Sequence, residues 1–240
     1  MEITILTMFP ETYEGFLKMP LIRRASEKGI AVIRIVDIRE FAEGSFRRID
    51  DSPYGGGAGM IMRYPPVFKA LESVRKENST VILTSPAGET YRQETAHALA
   101  EEEQIILIAG HYEGIDARIL DHTDRIYSLG DYILSGGELA TQIIADSVIR
   151  LLPGIIRTES TAEESFENGL LEYPQYTRPA EYNGKKVPEV LLGGNHEAIR
   201  RYRLEESLRL TLQARPDLLE GRECTEEEKE ILKDIRNEGI

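Results

Sequence analysis

The stretch "TVILTSPAGETYRQETAHALAEEEQIILIAG" (80–110) decides the fold. Its ends, "TVILTS" (80–85) and "QIILIAG" (104–110), are short, β-branched and almost unbroken apolar runs, the composition of strands buried on both faces. Between them "RQETAHALAEEE" has helical composition, and two buried strands joined through a helix make a parallel βαβ unit. Upstream, "EITILTM" (2–8) and "AVIRIVDI" (31–38) read as strands, and "PLIRRASEKG" (20–29) as a short helix started by Pro20 and closed by Gly29. Downstream, "DRIYSLG" (124–130) makes a further strand. The alternation predicts an α/β domain with a parallel-type sheet and helices on both its faces.

In "LGDYILSGGEL" (129–139) an apolar and aromatic run ends in Ser-Gly-Gly, and an acid with a helical pattern follows. Gly136 and Gly137 leave room for a ligand to lie against the main chain, with Asp131 and Glu138 as carboxylates on either side; two glycines are equally what a helix entry needs. The helix "ELATQIIADSVIRLL" spaces Leu139, Ala140, Ile143, Ile144, Ser147, Val148 and Leu151 three and four apart, which predicts one inward face. Pro153 and Gly154 end it, closing a first domain at 1–156. The polar, acidic stretch 157–169 reads as a flexible interdomain linker, and 170–240 as a small, mainly helical second domain. Its helices are "HEAIRRYRLEESLRLTL" (196–212) and "TEEEKEILKDIRN" (225–237), preceded by the turn-rich "YPQYTRP" and "KKVPEVLLGGNH".

With 240 residues, 41% of them hydrophobic, the chain can bury a sizeable core. The single Cys224 excludes an intrachain disulfide and fits a reducing compartment. His97, His111, His122 and His196 lack metal-ligand spacing. With no signal peptide and no apolar run approaching about 18 residues, the expectation is a soluble, cytoplasmic protein without membrane contact. A net charge of -13 argues against indiscriminate binding of polyanions, so nucleic acid would need local basic surface. The stretch 195–215, with Arg200, Arg201 and Arg203, and the pair Arg47 and Arg48 are the candidates.

Three glycine-bearing loops, "TSPAGE" (84–89), "GHYEGID" (110–116) and "GDYILSGGEL" (130–139), follow three predicted strands, at the edge where open α/β sheets collect ligands. There is no GxxxxGK[ST], and "YGGGAGM" (54–60) fails GxGxxG at Met60, so nucleotide phosphate is disfavoured. Main-chain groups with nearby carboxylates suit a cation attached to an adenosine, as in S-adenosylmethionine.

Together with "MFPE" (8–11), "DDSPYGGGAGMIM" (50–62), "SPAG" (85–88), "SFENGLLEYPQYTRP" (165–179) and "VPEVLLGGNH" (187–196), these loops carry a resemblance over nearly the whole chain. The sequence resembles the bacterial tRNA (guanine-N1)-methyltransferases, the TrmD family of the SPOUT class. The resemblance implies a deep trefoil knot, a homodimer with active sites between its subunits, and tRNA as partner of the C-terminal domain. It also implies methyl transfer from S-adenosylmethionine to N1 of the guanosine 3′ of the anticodon. Carried over, the cofactor site falls on Ser85, Pro86, Gly110, Tyr112, Glu113, Leu129, Gly130, Asp131, Tyr132, Ile133, Leu134, Gly136 and Gly137. The catalytic arginine falls on Arg150 and the catalytic carboxylate on Glu164, where the family usually has Asp-Ser-Phe and this chain has Glu-Ser-Phe, with Glu163 adjacent. A magnesium ion is a possible assistant, with Glu113 and Asp116 as acids that could hold it. The competing readings are a noncatalytic RNA-binding module that keeps the pocket, and another nucleotide-using α/β enzyme, which the missing phosphate motifs disfavour.

Overall fold

Buried β-branched runs build the sheet of the N-terminal unit. Glu2–Thr7 (β1), Val32–Asp37 (β2), Ser79–Thr90 (β3), Gln104–Ile108 (β4) and Arg125–Ser128 (β5) align in the order β2-β1-β4-β3-β5, every adjacent pair parallel. The computed structural model describes residues 1–44, 47–156 and 163–238. They fall into two units, Met1–Ile156 and Arg157–Ile240.

The pleat sends alternate side chains to opposite faces, and both faces are apolar. Ile3, Ile5, Ile82, Ile105 and Leu107 enter one core with Ile22 and Ala25 of α1 (Pro20–Glu27), and with Leu99 of a helix over Gln93–Ala100. Leu6, Val81, Leu83, Ile106 and Ile108 enter the other with Val67, Ala70 and Leu71 of α2 (Tyr64–Glu72). The Gln93–Ala100 helix is α3, and α4 (Glu138–Ile149) adds Ile144 and Val148 to the first core. Each such isoleucine, leucine or valine contributes roughly 1.5–3 kcal/mol by leaving water. Helix α2 was not anticipated from "YPPVFKALE"; its paired prolines sit in the first turn, where a missing N–H costs nothing.

Two expectations need correction. The loop expected at 84–89 is a bulge inside β3, whose pairing with β5 breaks after Thr84 and resumes at Glu89. Gly88 permits the return, because a Cβ there would stand 2.6 Å from the main chain of Ile126 and Tyr127. In α4 the buried residues are Glu138, Ala140, Thr141, Ile144, Ala145, Val148 and Ile149, whereas Leu139 (57% exposed) and Ile143 (49%) face outward. Periodicity marked an apolar stripe wider than one core could cover.

In the C-terminal unit α5 (His196–Ala214) packs on α6 (Glu226–Asn237) through Leu208, Ile231, Leu232 and Ile235, with Leu170 buried in the same cluster. A capping box starts α6: the Glu228 N–H donates to Thr225 Oγ1 (3.2 Å) and the Thr225 N–H to Glu228 Oε2 (2.7 Å). Glu181–Tyr182 pairs antiparallel with Lys185–Lys186 across Asn183 and Gly184, both at positive φ as a two-residue hairpin turn requires. Of the stretch expected as a linker, 157–162 lie outside the described residues. Residues 163–169 form a turn in which the Glu167 N–H donates to Glu164 O (3.2 Å) and the Phe166 N–H to Leu170 O (2.8 Å).

Candidate functional site

Strands β4, β3 and β5 are neighbours, so the β3 bulge, the loop after β4 and the loop after β5 meet at the C-terminal edge of the sheet. They enclose a cavity of about 490 Å³. Main-chain bonds hold them together: the Gly137 N–H donates to Gly110 O (2.6 Å), and His111 bridges Gly136. Gly137 is indispensable to that closeness, since a Cβ would stand 2.7 Å from Thr84 Oγ1, 2.8 Å from Gly110 N and 2.9 Å from Ala109 Cα. On its far side the 110–116 loop is stitched to the glycine-rich segment, by Glu113 N–H to Met60 O (3.0 Å) and Met62 N–H to Gly114 O (2.9 Å). Gly59 lies directly under the Glu113 side chain.

Every residue expected to hold the cofactor lines this cavity except Asp131, which is exposed outside it. The donor set suits one class of guest. Among the described residues no lysine or arginine lines the cavity, so they offer a phosphate no such counter-charge, while Glu113 offers a carboxylate to a cation and Leu129, Ile133 and Leu134 offer apolar wall. The volume lies within the range of sites that enclose a ligand of adenosine size. Burial, and secondarily the Asp50 carboxylate, raises the Tyr112 phenol above its ordinary value. Tyr112 also sits at φ 58°, strained for a residue with a side chain.

Glu138, read in the sequence as a carboxylate beside the glycines, has a link behind the cavity that the sequence did not reveal. Glu138, 8% exposed in the first turn of α4, accepts from the Thr7 hydroxyl (3.2 Å), and its other oxygen lies 3.5 Å from the buried Nδ1 of His111. His111 packs edge-on against Phe9 (4.8 Å) and Tyr112 (5.1 Å). Only the joint presence of "MFPE" and "GHYEGID" among the motifs hinted that the two segments meet.

The two residues expected to be catalytic stand in different units. Arg150 caps the C-terminus of α4, its N–H donating to Asp146 O (3.1 Å). Burial raises the Asp146 carboxyl above its usual range, and the Arg150 guanidinium opposes that shift. Glu164 is half-buried in the turn before Leu170. Its neighbour Glu163 accepts from the Tyr173 hydroxyl (2.5 Å) and lies 3.5 Å from Arg203, whose guanidinium covers the Tyr173 ring at 4.7 Å.

The expected acids do not assemble a metal site. Asp116 is taken up by Arg118, whose Nε (2.8 Å) and Nη2 (2.6 Å) hold the carboxyl below its usual range. No group of three or more His, Cys, Asp or Glu side chains among the described residues could hold a metal ion. Helix α5 is also less available to an outside anion than its arginines suggest. Arg200 binds Glu197 and Glu227, Arg203 meets Glu163, and Arg209 binds Glu205 and Glu238. No helix among the described residues is long and apolar enough to cross a membrane.

Residues 1–221 match the family model described as tRNA (Guanine-1)-methyltransferase TrmD. The curated tRNA (guanine-N(1)-)-methyltransferase of Halalkalibacterium halodurans is 51% identical to the chain, with 99% of each sequence covered. The protein of that name from Dictyoglomus turgidum is 46% identical over 99% of this chain and 98% of its own. That from Fusobacterium nucleatum is 48% identical over the full length of both.

Proposed function

The chain belongs to the tRNA (guanine-1)-methyltransferase family, and from that premise we propose that it methylates N1 of guanosine 37 in tRNA with S-adenosylmethionine as donor. The observation that carries the reading is the cavity closed by the three strand-end loops, which pairs a carboxylate with apolar wall and, among the described residues, has no lysine or arginine. Bound there, S-adenosylmethionine would supply an electrophilic methyl on its sulfonium. The chain's own residues do the rest. Guanine N1 carries an amide-like proton and attacks only once that proton leaves, so a carboxylate must take it. Glu164 is our choice of base, because it stands where the family's catalytic carboxylate falls; its neighbour Glu163 accepts from Tyr173 and meets Arg203. Loss of the proton drives negative charge toward O6, and Arg150 stabilises it there; removing a contact of this kind costs a few kcal/mol of barrier. No step needs a covalent enzyme intermediate.

Two larger features belong to the same proposal. The crossings of the strand-end loops form a deep trefoil knot; the tight approaches of Gly88 to β5 and of Gly137 to Gly110 support it. The active unit is a homodimer with its sites between subunits, and its support is the apolar surface left outside, Ile133 at 81% exposure with Leu139 and Ile143 on α4. A tRNA substrate makes the cytoplasm its workplace. Incubation with tritiated S-adenosylmethionine and an unmodified tRNA transcript tests the activity: label should enter the RNA, and an RNA that stays unlabelled overturns the proposal.

A further inference from the structure

Tyr112 and Glu113 make a corner of the cavity, and Tyr112 holds it at φ 58°, a backbone state that persists only where the surroundings fix it. Main-chain bonds to Met60 and Met62 fix the outer side of this loop. Its inner side rests on the ring of His111. That ring stands edge-on to Phe9 (4.8 Å) and to Tyr112 (5.1 Å), and the His111 N–H donates to Met62 Sδ (3.2 Å). Nδ1 of the ring is buried and, among the described residues, has no hydrogen-bond partner; Glu138 Oε2 lies 3.5 Å away.

Glu138 is itself fixed from two elements. The Thr7 hydroxyl of β1 donates to its Oε1 (3.2 Å) and accepts from the Phe9 N–H (3.0 Å), so one threonine anchors both the acid and the aromatic behind the ring. Within α4 the Thr141 hydroxyl donates to Glu138 O (2.9 Å) and meets the Tyr13 hydroxyl (2.7 Å). Gly136 keeps the space between acid and ring open, because a Cβ there would stand 2.3 Å from both Oε2 and Nδ1. An acid in a first turn serves its helix by charge alone. Glu138 does more, since one carboxylate oxygen is tied to β1 and the other approaches the loop after β4.

We propose that Glu138 and His111 are positioning residues for the methyl donor: the Glu138 carboxylate orients the His111 ring through Nδ1, and the ring sets the Tyr112–Glu113 corner of the cavity. The proposal rests on the reading that S-adenosylmethionine occupies this cavity, and it deepens that reading by adding two residues that support the wall from behind. A bond between Nδ1 and Oε2 needs only a few tenths of an ångström of closure from 3.5 Å, and such contacts are often long until the ligand is in place. A corner that shapes the cavity acts on the donor and on its demethylated product alike. It therefore governs affinity, with the methyl-transfer step left to Glu164 and Arg150.

The test is calorimetric binding of S-adenosylmethionine and S-adenosylhomocysteine, with melting temperature and kcat at saturating donor followed in parallel. His111→Phe keeps a flat ring against Phe9 and loses the nitrogen, so it should weaken both ligands about tenfold, with kcat within about threefold of wild type and melting little changed. His111→Asn keeps an amide nitrogen at about the place of Nδ1 and should regain most of the affinity. Glu138→Leu should weaken both ligands as His111→Phe does. The double variant H111F/E138L should bind no more weakly than the weaker single variant, because removing either partner already releases the ring. The two single variants are read separately, so one that melts early leaves the other to decide. Wild-type affinity in a folded His111→Phe, no recovery in His111→Asn, or losses that add in the double variant overturns the proposal while the wild type still binds. A wild type that binds neither ligand overturns the underlying reading and the proposal with it.

Discussion

Gly136 and Gly137 lie side by side with different constraints, and that separates binding from folding at the scale of single residues. A Cβ on Gly137 would press on the main chain of Ala109 and Gly110, which cannot move without breaking β4, so Gly137→Ala harms the fold itself. A Cβ on Gly136 would stand 2.3 Å from Glu138 Oε2 and from His111 Nδ1, which are side-chain atoms and not main chain. Gly136→Val should therefore weaken S-adenosylmethionine binding tenfold or more in calorimetry while melting near the wild-type temperature; unchanged affinity would remove this loop from the cofactor site. Glu164→Gln keeps shape and hydrogen bonding but loses basicity, so turnover should fall about a hundredfold or more with little change in cofactor affinity. Glu163→Gln should cost far less, because that carboxylate serves Tyr173 and Arg203; an equal loss in single-turnover assays would move the base to Glu163. Glycines and acids at strand ends were legible in the sequence because their types are unusual there. The link from Thr7 through Glu138 to His111 was not, since it joins residues far apart in the chain and no local pattern encodes such a meeting.

At the scale of elements, the start of α6 is set by four residues. Thr225 followed by Glu228 made the capping box, and Glu228 does double duty by binding Arg222 through Nη2 (2.8 Å) and Nη1 (3.2 Å). Arg222 and burial act on the Glu228 carboxyl in opposite directions; Arg222 dominates and lowers it below its usual range. A depressed carboxyl stabilises the folded state above the unfolded value of about 4.3 and loses that contribution as the pH falls through its folded value. Glu228→Ala should thus cost about 2 kcal/mol in denaturant melts at pH 7, with the gap between wild type and variant narrowing as the pH falls through the lowered folded value; an offset that persists undiminished in acid would mean the loss is packing alone. Buried strands and capped helices were readable because each is decided within a dozen residues. The return of β3 to β5 and the outward turn of Leu139 and Ile143 were not, because both depend on a neighbouring surface rather than on the local sequence.

At the scale of the whole molecule, the proposal that each site is shared between subunits can be examined without further structural work. Gly136→Val chains and Glu164→Gln chains should each be nearly inactive alone. Refolded together they should regain part of the wild-type rate, because a heterodimer joins a sound cofactor loop on one chain to a sound base on the other. Confirmed heterodimers that stay inactive would put the base and the cofactor of each site on the same chain. The most direct measurement concerns the reaction itself. Two tRNA transcripts, one with guanosine and one with adenosine at position 37, are incubated with the protein and labelled S-adenosylmethionine, then digested to nucleosides and separated. The account predicts labelled 1-methylguanosine from the first transcript and no label from the second. Equal label in both, or label in any other nucleoside, would contradict it.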